Sequence, residues 1–311
     1  MILHSRSPTD FKAQPVRIAI TGANSSVGHR FLTHLVNQTD AELTVNAGVR
    51  TQAAADLLPD HPSIVPYVIT YGDSASLDKL LDGAACVVHL AGILIESPSS
   101  NYQSANVDAT SAVVEAAQRA NLEHVVLVSA LGANTLSSNA YYRSKGLAED
   151  AVTASSLPTD IIRTPMLLGP GTAGAKALVG MASRPSVKVL GGGKHVLRPL
   201  DVDDLNHAIR QCCHRGPNGT NIYELVGPEA ITHRELIVAT GHLLGQDVSV
   251  GALPVWSAKL GATLMGVFRR GGITSAVIDV ITTGESVHHN ADADLGITLT
   301  PLATTLQKLV L

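Results

Sequence analysis

Apolar positions along this chain fall into short continuous runs separated by helical patterns. Val16-Arg17-Ile18-Ala19-Ile20 is the first run, and it breaks into Thr21-Gly22-Ala23-Asn24-Ser25-Ser26-Val27-Gly28. A helical pattern follows, with Phe31, Leu32, Leu35 and Val36 on one face. The alternation then repeats. Leu43–Arg50, Ile64–Thr70, Cys86–Leu90, His124–Ser129 and Asp160–Arg163 read as further strands. Val27–Gln38, Thr51–Leu58, Ser76–Leu81, Tyr102–Ala120 and Ala140–Ala154 read as the helices between them. Continuous apolar strands alternating with helices predict a parallel sheet covered on both faces.

After Pro165 the pattern loosens. Leu168-Gly169-Pro170-Gly171-Thr172 reads as a loop, and Lys188–Leu190 and Val196–Pro199 flank Gly191-Gly192-Gly193. Asp201 opens a helix through Ile209 with an acidic first turn, and Asn221–Val226 reads as a strand. Thr232 caps a further helix, with Glu235 placed for a capping box. The expected organisation is a poorly ordered leader over 1–15, a nucleotide-type domain over 16–165, and a smaller substrate-facing region over 166–311. Some of the later strands are expected to return to the main sheet.

Composition narrows the class. The chain has 311 residues, 45% of them hydrophobic, which is ample for a large core. Its net charge of −4, with no stripe of Lys and Arg, excludes a nucleic-acid partner. Three cysteines make neither a disulfide framework nor a zinc pattern, and a reducing cytoplasm fits them. The first fourteen residues lack the apolar core of a secretory signal. The longest apolar run, Ala84 to Ile95, contains His89 and is too short to span a bilayer. His288-His289 is a pair without further ligands, so no metal is expected.

The turn after the first run carries the candidate chemistry. A strand, a glycine-bearing turn and a helix start are the parts that hold a dinucleotide pyrophosphate. A backbone without Cβ can approach the phosphates, and first-turn N–H groups face them. Gly22 and Gly28 match that pattern, with Asn24, Ser25, Ser26 and Val27 between them, and Ser25 stands where a middle glycine is usual. At the end of the second strand an acid would bind the ribose 2′-hydroxyl of NAD. Arg50 occupies that place, and a guanidinium suits a 2′-phosphate, which favours NADP(H) over NAD(H). Asp73 reads either as an adenine contact or as an ordinary turn cap. Leu90-Ala91-Gly92 supplies small residues where the backbone must pass the cofactor.

Tyr141 and Lys145 stand one helical turn apart after the fifth strand. A lysine ammonium beside a phenol favours phenolate and makes the tyrosine a usable acid/base, and the lysine can also bond the nicotinamide ribose. Ser129 ends the fifth strand. It reads either as a group polarising a carbonyl or as a strand-end serine bonding backbone.

These motifs together resemble a short-chain dehydrogenase/reductase of the extended or atypical type. The resemblance rests on Thr21-Gly22…Gly28, Gly72-Asp73, Val88-His89-Leu90-Ala91-Gly92, Tyr141-x-x-x-Lys145 and Ile162-Arg163-Thr164-Pro165…Gly169-Pro170-Gly171. Val128–Asn134, Tyr142–Glu149, Arg198–Leu205 and Tyr223–Glu229 resemble, more narrowly, the subgroup of the complex I accessory subunit and its bacterial relatives. The resemblance runs from about Val16 to Leu311. It implies a Rossmann-type doubly wound α/β sheet with a small C-terminal α/β domain, bound NADP(H), and Pro165 among the cofactor contacts. It departs at Ser25, and at Ala130-Leu131, where extended members carry the catalytic Ser or Thr. Relatives of this kind include active epimerases, dehydratases and reductases, and also proteins that only hold the nucleotide and serve in assembly or quinone-related processes.

Two functions are therefore expected. The first is hydride transfer to or from a carbonyl or alcohol, with Tyr141 as proton donor or acceptor, Lys145 as its activator and Ser129 orienting. The second is nucleotide binding without turnover. The substrate reads as a small molecule of open class (quinone, lipid-like or nucleotide-sugar), and the oligomer as monomer or homodimer. The segment 253–270 carries Trp256, Leu260, Leu264, Met265 and Phe268, with Lys259, Arg269 and Arg270 its only charges. It reads as core, as a dimer contact or as a peripheral membrane contact.

Overall fold

The computed structural model describes residues 16–37, 43–216, 219–266 and 273–310. The expected leader and residues 267–270 of the apolar segment 253–270 lie outside them. Six strands alternate with helices: β1 (Val16–Thr21), α1 (Ser26–Asn37), β2 (Leu43–Val49), α2 (Gln52–Ala55), β3 (Ile64–Val68), α3 (Ser74–Leu81), β4 (Cys86–His89), α4 (Ala109–Arg119), β5 (His124–Ala130), α5 (Ala140–Thr153) and β6 (Thr159–Thr164). A later strand, Thr220–Glu224, pairs in parallel with β6. The seven strands form one parallel sheet in the order β3, β2, β1, β4, β5, β6, Thr220–Glu224.

Consecutive strand residues point to opposite faces, and both faces are dry. Ile18, Ile20, Val88, Val126 and Ile162 pack on one side with Phe31, Leu32 and Leu35 of α1 and with Leu205 and Ile209 of the helix Val202–Arg215. Ala19, Val87, Val125, Leu127 and Ile161 pack on the other side with Leu77, Leu80, Val113 and Ala117 of α3 and α4. The sheet is thus the doubly wound Rossmann-type α/β layer that its sequence pattern implies. Three free cysteines meet at its N-terminal edge, the buried Cys86 and Cys212 and the half-buried Cys213, with Cys86 Sγ 3.8 Å from Cys213 Sγ.

A third core lies in the later part of the chain. Leu178, Val189, Leu236, Ile237, Val250 and Leu306 build it. Here Ser186–Leu190 pairs in parallel with Ser249–Leu253, a strand not legible beforehand because a glycine interrupts its short alternation. The capping box of Thr232 and Glu235 is formed at the start of the helix His233–Leu243. Among the described residues no helix is long and apolar enough to cross a membrane.

One element departs from its expected form. The helix expected over 102–120 begins as a π-helical stretch, Gln103–Asp108, before α4. One extra residue per turn is accommodated there, and such bulges re-aim single side chains. The side chain re-aimed here is that of Asn106.

Candidate active site

In the strand order, successive connections leave β1 toward β2 on one side and toward β4 on the other. Loops at the C-terminal ends of β1 and β4 therefore part and open a crevice, the usual ligand position in such sheets. The sequence-predicted residues distribute along this edge. Gly22–Gly28 follow β1, Arg50 follows β2, Asp73 follows β3, Leu90–Gly92 follow β4, Ser129 is the last residue but one of β5, which extends to Ala130, and Pro165 follows β6.

Close backbone approach explains the two outer glycines. Gly22 has φ +73°, and a Cβ there would stand 2.9 Å from the Ala91 amide nitrogen. A Cβ on Gly28 would stand 2.5 Å from the Gly22 carbonyl oxygen, so α1 is seated directly on the turn. Ser25 between them works as the helix N-cap. Its Oγ accepts from the Gly28 N–H at 3.0 Å, and its carbonyl accepts from His29 at 2.8 Å. The hydroxyl thus occupies one first-turn donor, and the neighbouring donors belong to Ser26 and Val27. Asn24 is exposed on the same turn.

Arg50 is exposed, and no hydrogen bond or ion pair joins its side chain to another described residue. It lies near Tyr71. Burial raises that phenol to about 12, against smaller downward pulls from Thr21 and Arg50. Asp73 caps α3, its Oδ1 accepting from Ala75 at 3.1 Å. Of the two readings of Asp73, the cap is the one present as a contact.

On the other side of the crevice α5 carries Tyr141 and Lys145. Asn139 caps the helix, accepting from the Tyr141 N–H at 2.9 Å and the Tyr142 N–H at 3.3 Å. Its own amide donates to the Ala276 carbonyl at 2.9 Å, which ties α5 to the helix Ser275–Thr282. Lys145 is buried, and its Nζ donates to the Val128 carbonyl at 3.0 Å. A Cβ on Gly92 would lie 3.7 Å from that Nζ and 3.2 Å from Asn106 Oδ1, so this exposed glycine leaves the floor of the crevice open above both groups. Burial lowers Lys145 to about 8, with Glu149 pulling weakly the other way.

Tyr141 departs from the expected activation. Its phenol is held well above the ordinary value by burial, with Tyr142 and Tyr102 adding to the shift. Their rings lie at centroid distances of 5.6 and 5.9 Å. The ammonium of Lys145 donates to the Val128 carbonyl, and burial rather than that ammonium sets the direction of the phenol's shift, which keeps the Tyr141 hydroxyl neutral. Ser129 is buried, and its Oγ has no hydrogen-bond partner. It faces the same side of the sheet as Leu127. Its carbonyl accepts from Thr164 Oγ1 at 3.2 Å, which holds the ends of β5 and β6 together next to Pro165.

Several groups at this edge escaped the sequence reading. Asn106 Oδ1 accepts from Ile93 N at 2.8 Å, and its Nδ2 donates to Ile93 O at 3.1 Å and Ser144 Oγ at 2.9 Å. A lone Asn in a helical pattern carries no signal; the π-helical register gives it one. Glu285 accepts from the amides of Met166 at 3.1 Å and Arg198 at 2.7 Å, and burial raises its carboxyl. Distance in the chain hides it completely.

Comparison with known proteins agrees with this crevice. The NAD(P)H-binding family matches residues 22–187, just over half of the chain. The chain belongs to this family. Among its relatives, the ceramide reductase of Caulobacter vibrioides is 29% identical over 243 residues, covering 76% of this chain and 73% of the relative. The mitochondrial NADH dehydrogenase [ubiquinone] 1 alpha subcomplex subunit 9 of Dictyostelium discoideum is 23% identical over 221 residues, covering 70% of this chain and 61% of the relative. The solved structure of UDP-glucuronic acid 4-epimerase from Bacillus cereus, bound to UDP-glucuronic acid and NAD, is similar with a TM-score of 0.74. It is 16% identical and covers 95% of this chain and 98% of its own. The fold is thus shared with this NAD-bound epimerase, as the Rossmann-type expectation implies.

Proposed function

We propose that this protein is an NADP(H)-dependent reductase of a carbonyl on a lipid-like molecule. The observation that carries the reading is the convergence of Lys145 and Asn106 on Gly92, with Tyr141 one turn before Lys145 on α5, at the mouth of a nucleotide crevice. The nucleotide, when bound, supplies or accepts the hydride. Tyr141, neutral and shielded, donates the proton that a reduced carbonyl oxygen takes up, and Lys145 is one helical turn away to bond ribose hydroxyls and hold charge. Arg50, with no hydrogen-bond or ion-pair partner among the described residues, suits a 2′-phosphate. The similarity to a ceramide reductase supports a lipid-like substrate. So do the exposed apolar side chains Ile95, Leu136, Trp256, Leu260 and Ile273, in segments flanking the aromatic cluster. On this reading the segment from Leu253 meets a lipid surface: Trp256 is 71% exposed and Leu260 55%.

A second reading, nucleotide binding without turnover, is favoured by the unpartnered Ser129 Oγ beneath α5 and by Ala130-Leu131 where a hydroxyl is usual. Turnover separates the two. The reductase reading expects NADPH oxidation with a long-chain lipid ketone in detergent, lost in Tyr141→Phe. Tight NADPH binding with no oxidation over a panel of lipid, quinone and nucleotide-sugar carbonyls would refute it.

A further inference from the structure

The two sides of the crevice are joined through buried side chains that the chemistry above does not use. Thr21 and His89 are the last residues of β1 and β4 and face each other across the final rung of their ladder. Both point to the α4 side of the sheet, following Ala19 and Val87 in the alternation. His89 Nδ1 lies 2.6 Å from Thr21 Oγ1, and His89 Nε2 lies 3.1 Å from Thr110 Oγ1 on α4. Thr110 Oγ1 in turn lies 2.6 Å from the Asn106 carbonyl. All four residues are buried.

Proton directions in this chain follow from its end. A carbonyl only accepts, so the Thr110 hydroxyl donates to Asn106, and His89 Nε2 must donate to Thr110. Nδ1 is then the acceptor, and the Thr21 hydroxyl donates to it. His89 is the neutral Nε2–H tautomer, consistent with burial lowering its pKa to about 3. From Asn106 the chain continues through Nδ2 to Ser144 Oγ, which donates to the Tyr141 carbonyl at 2.7 Å. One polar path thus runs from the residue before Gly22 to the residue proposed as proton donor. It runs beside the last backbone bond between β1 and β4, from the Leu90 N–H to the Thr21 carbonyl at 3.1 Å, after which the two chains part. An apolar side chain would fill the same space without desolvating an imidazole. What the imidazole adds is a rigid acceptor and donor at opposite ends.

We infer that His89 is a positioning residue: it fixes the glycine turn relative to the Asn106–Gly92 side, so that both halves of one dinucleotide are received together. This rests on nucleotide binding in the crevice and not on turnover, so a protein without reductase activity still tests it.

The experiment compares two titrants well below the unfolding temperature: NADPH, and 2′-phosphoadenosine diphosphoribose, which lacks the nicotinamide. Both carry the 2′-phosphate, so any contribution of Arg50 cancels. His89→Phe is expected to weaken NADPH about tenfold or more and the fragment less than about threefold. His89→Gln, which keeps an acceptor and a donor, is expected to return NADPH affinity to within about threefold of wild type. Thr110→Val cuts the path outside the sheet and is expected to repeat the pattern at about threefold, which keeps the test open if His89→Phe does not fold. Equal losses for both titrants would mean local damage to the glycine turn and overturn the inference. A lowered melting temperature with unchanged NADPH affinity in His89→Phe and Thr110→Val would overturn it in favour of a purely structural role.

Discussion

The two sides of the crevice are built by different means. The β1–β2 side is made of local backbone constraints: a positive φ at Gly22, a contact too close for any Cβ at Gly28, and a serine cap one turn away. The β4–β5 side is made of long-range hydrogen bonds. Asn106 holds Ile93 and Ser144, Lys145 holds Val128, and Asn139 holds Ala276. The first side presents fixed amides to a ligand whose phosphates vary little. The second arranges donors whose positions depend on four separate segments, which is what a reaction on a particular substrate requires.

The largest expected effect breaks the second side alone. Tyr141→Phe should lower kcat about 10²–10⁴-fold with NADPH affinity within about threefold, measured by steady-state kinetics and titration. A parallel loss of nucleotide binding would mean that the two sides are not separable. Gly28→Val should do the converse. Its side chain cannot be seated against the Gly22 carbonyl, so NADPH affinity should fall about a hundredfold and stability by about 1–3 kcal/mol. Arg50→Ala sharpens the first side further. NADPH should weaken about tenfold and NADH less than about threefold, since a charged contact to the 2′-phosphate is all that is removed.

A smaller effect reads the second side through pH. Lys145 titrates near 8 in the folded protein and near its ordinary value when unfolded, so the unfolded chain binds more protons between those limits. The stability cost of this buried ammonium is fully present below pH 8 and is relieved as pH rises toward 10.5. The wild-type melting temperature should therefore gain on that of Lys145→Met as pH rises above 8, no longer by pH 7. A constant difference across pH would refute the burial effect. The smallest effect is expected for Ser25→Gly, which restores the three-glycine pattern. An N-cap glycine costs only a few tenths of a kcal/mol, and NADPH affinity should stay within about threefold.

How much of each side was legible follows the same division. Gly22, Gly28, Arg50 and Leu90–Gly92 could be placed because each sits at the end of an apolar run, and run ends become the sheet edge. Ser25 could not be interpreted, since whether its hydroxyl meets a phosphate or a helix amide depends on where the helix begins. Asp73 was ambiguous for the same reason. Tyr141 and Lys145 were visible by spacing, but the direction of the Tyr141 shift was not. It is set first by burial, with Tyr142 and then Tyr102, a neighbour in space from another helix, adding to it.

By itself the sequence determined the layer architecture and the crevice edge, because strand and helix periodicities are local and a parallel sheet admits few arrangements of them. Tertiary structure alone decided the π-helical register that aims Asn106, the tautomer of His89, the seat of Lys145 on Val128 and the capture of Met166 and Arg198 by Glu285. Apart from the π-helical register, each of these is a hydrogen bond between groups in different elements of the chain. Its existence depends on distances of a few tenths of an ångström, which no local pattern of residues encodes.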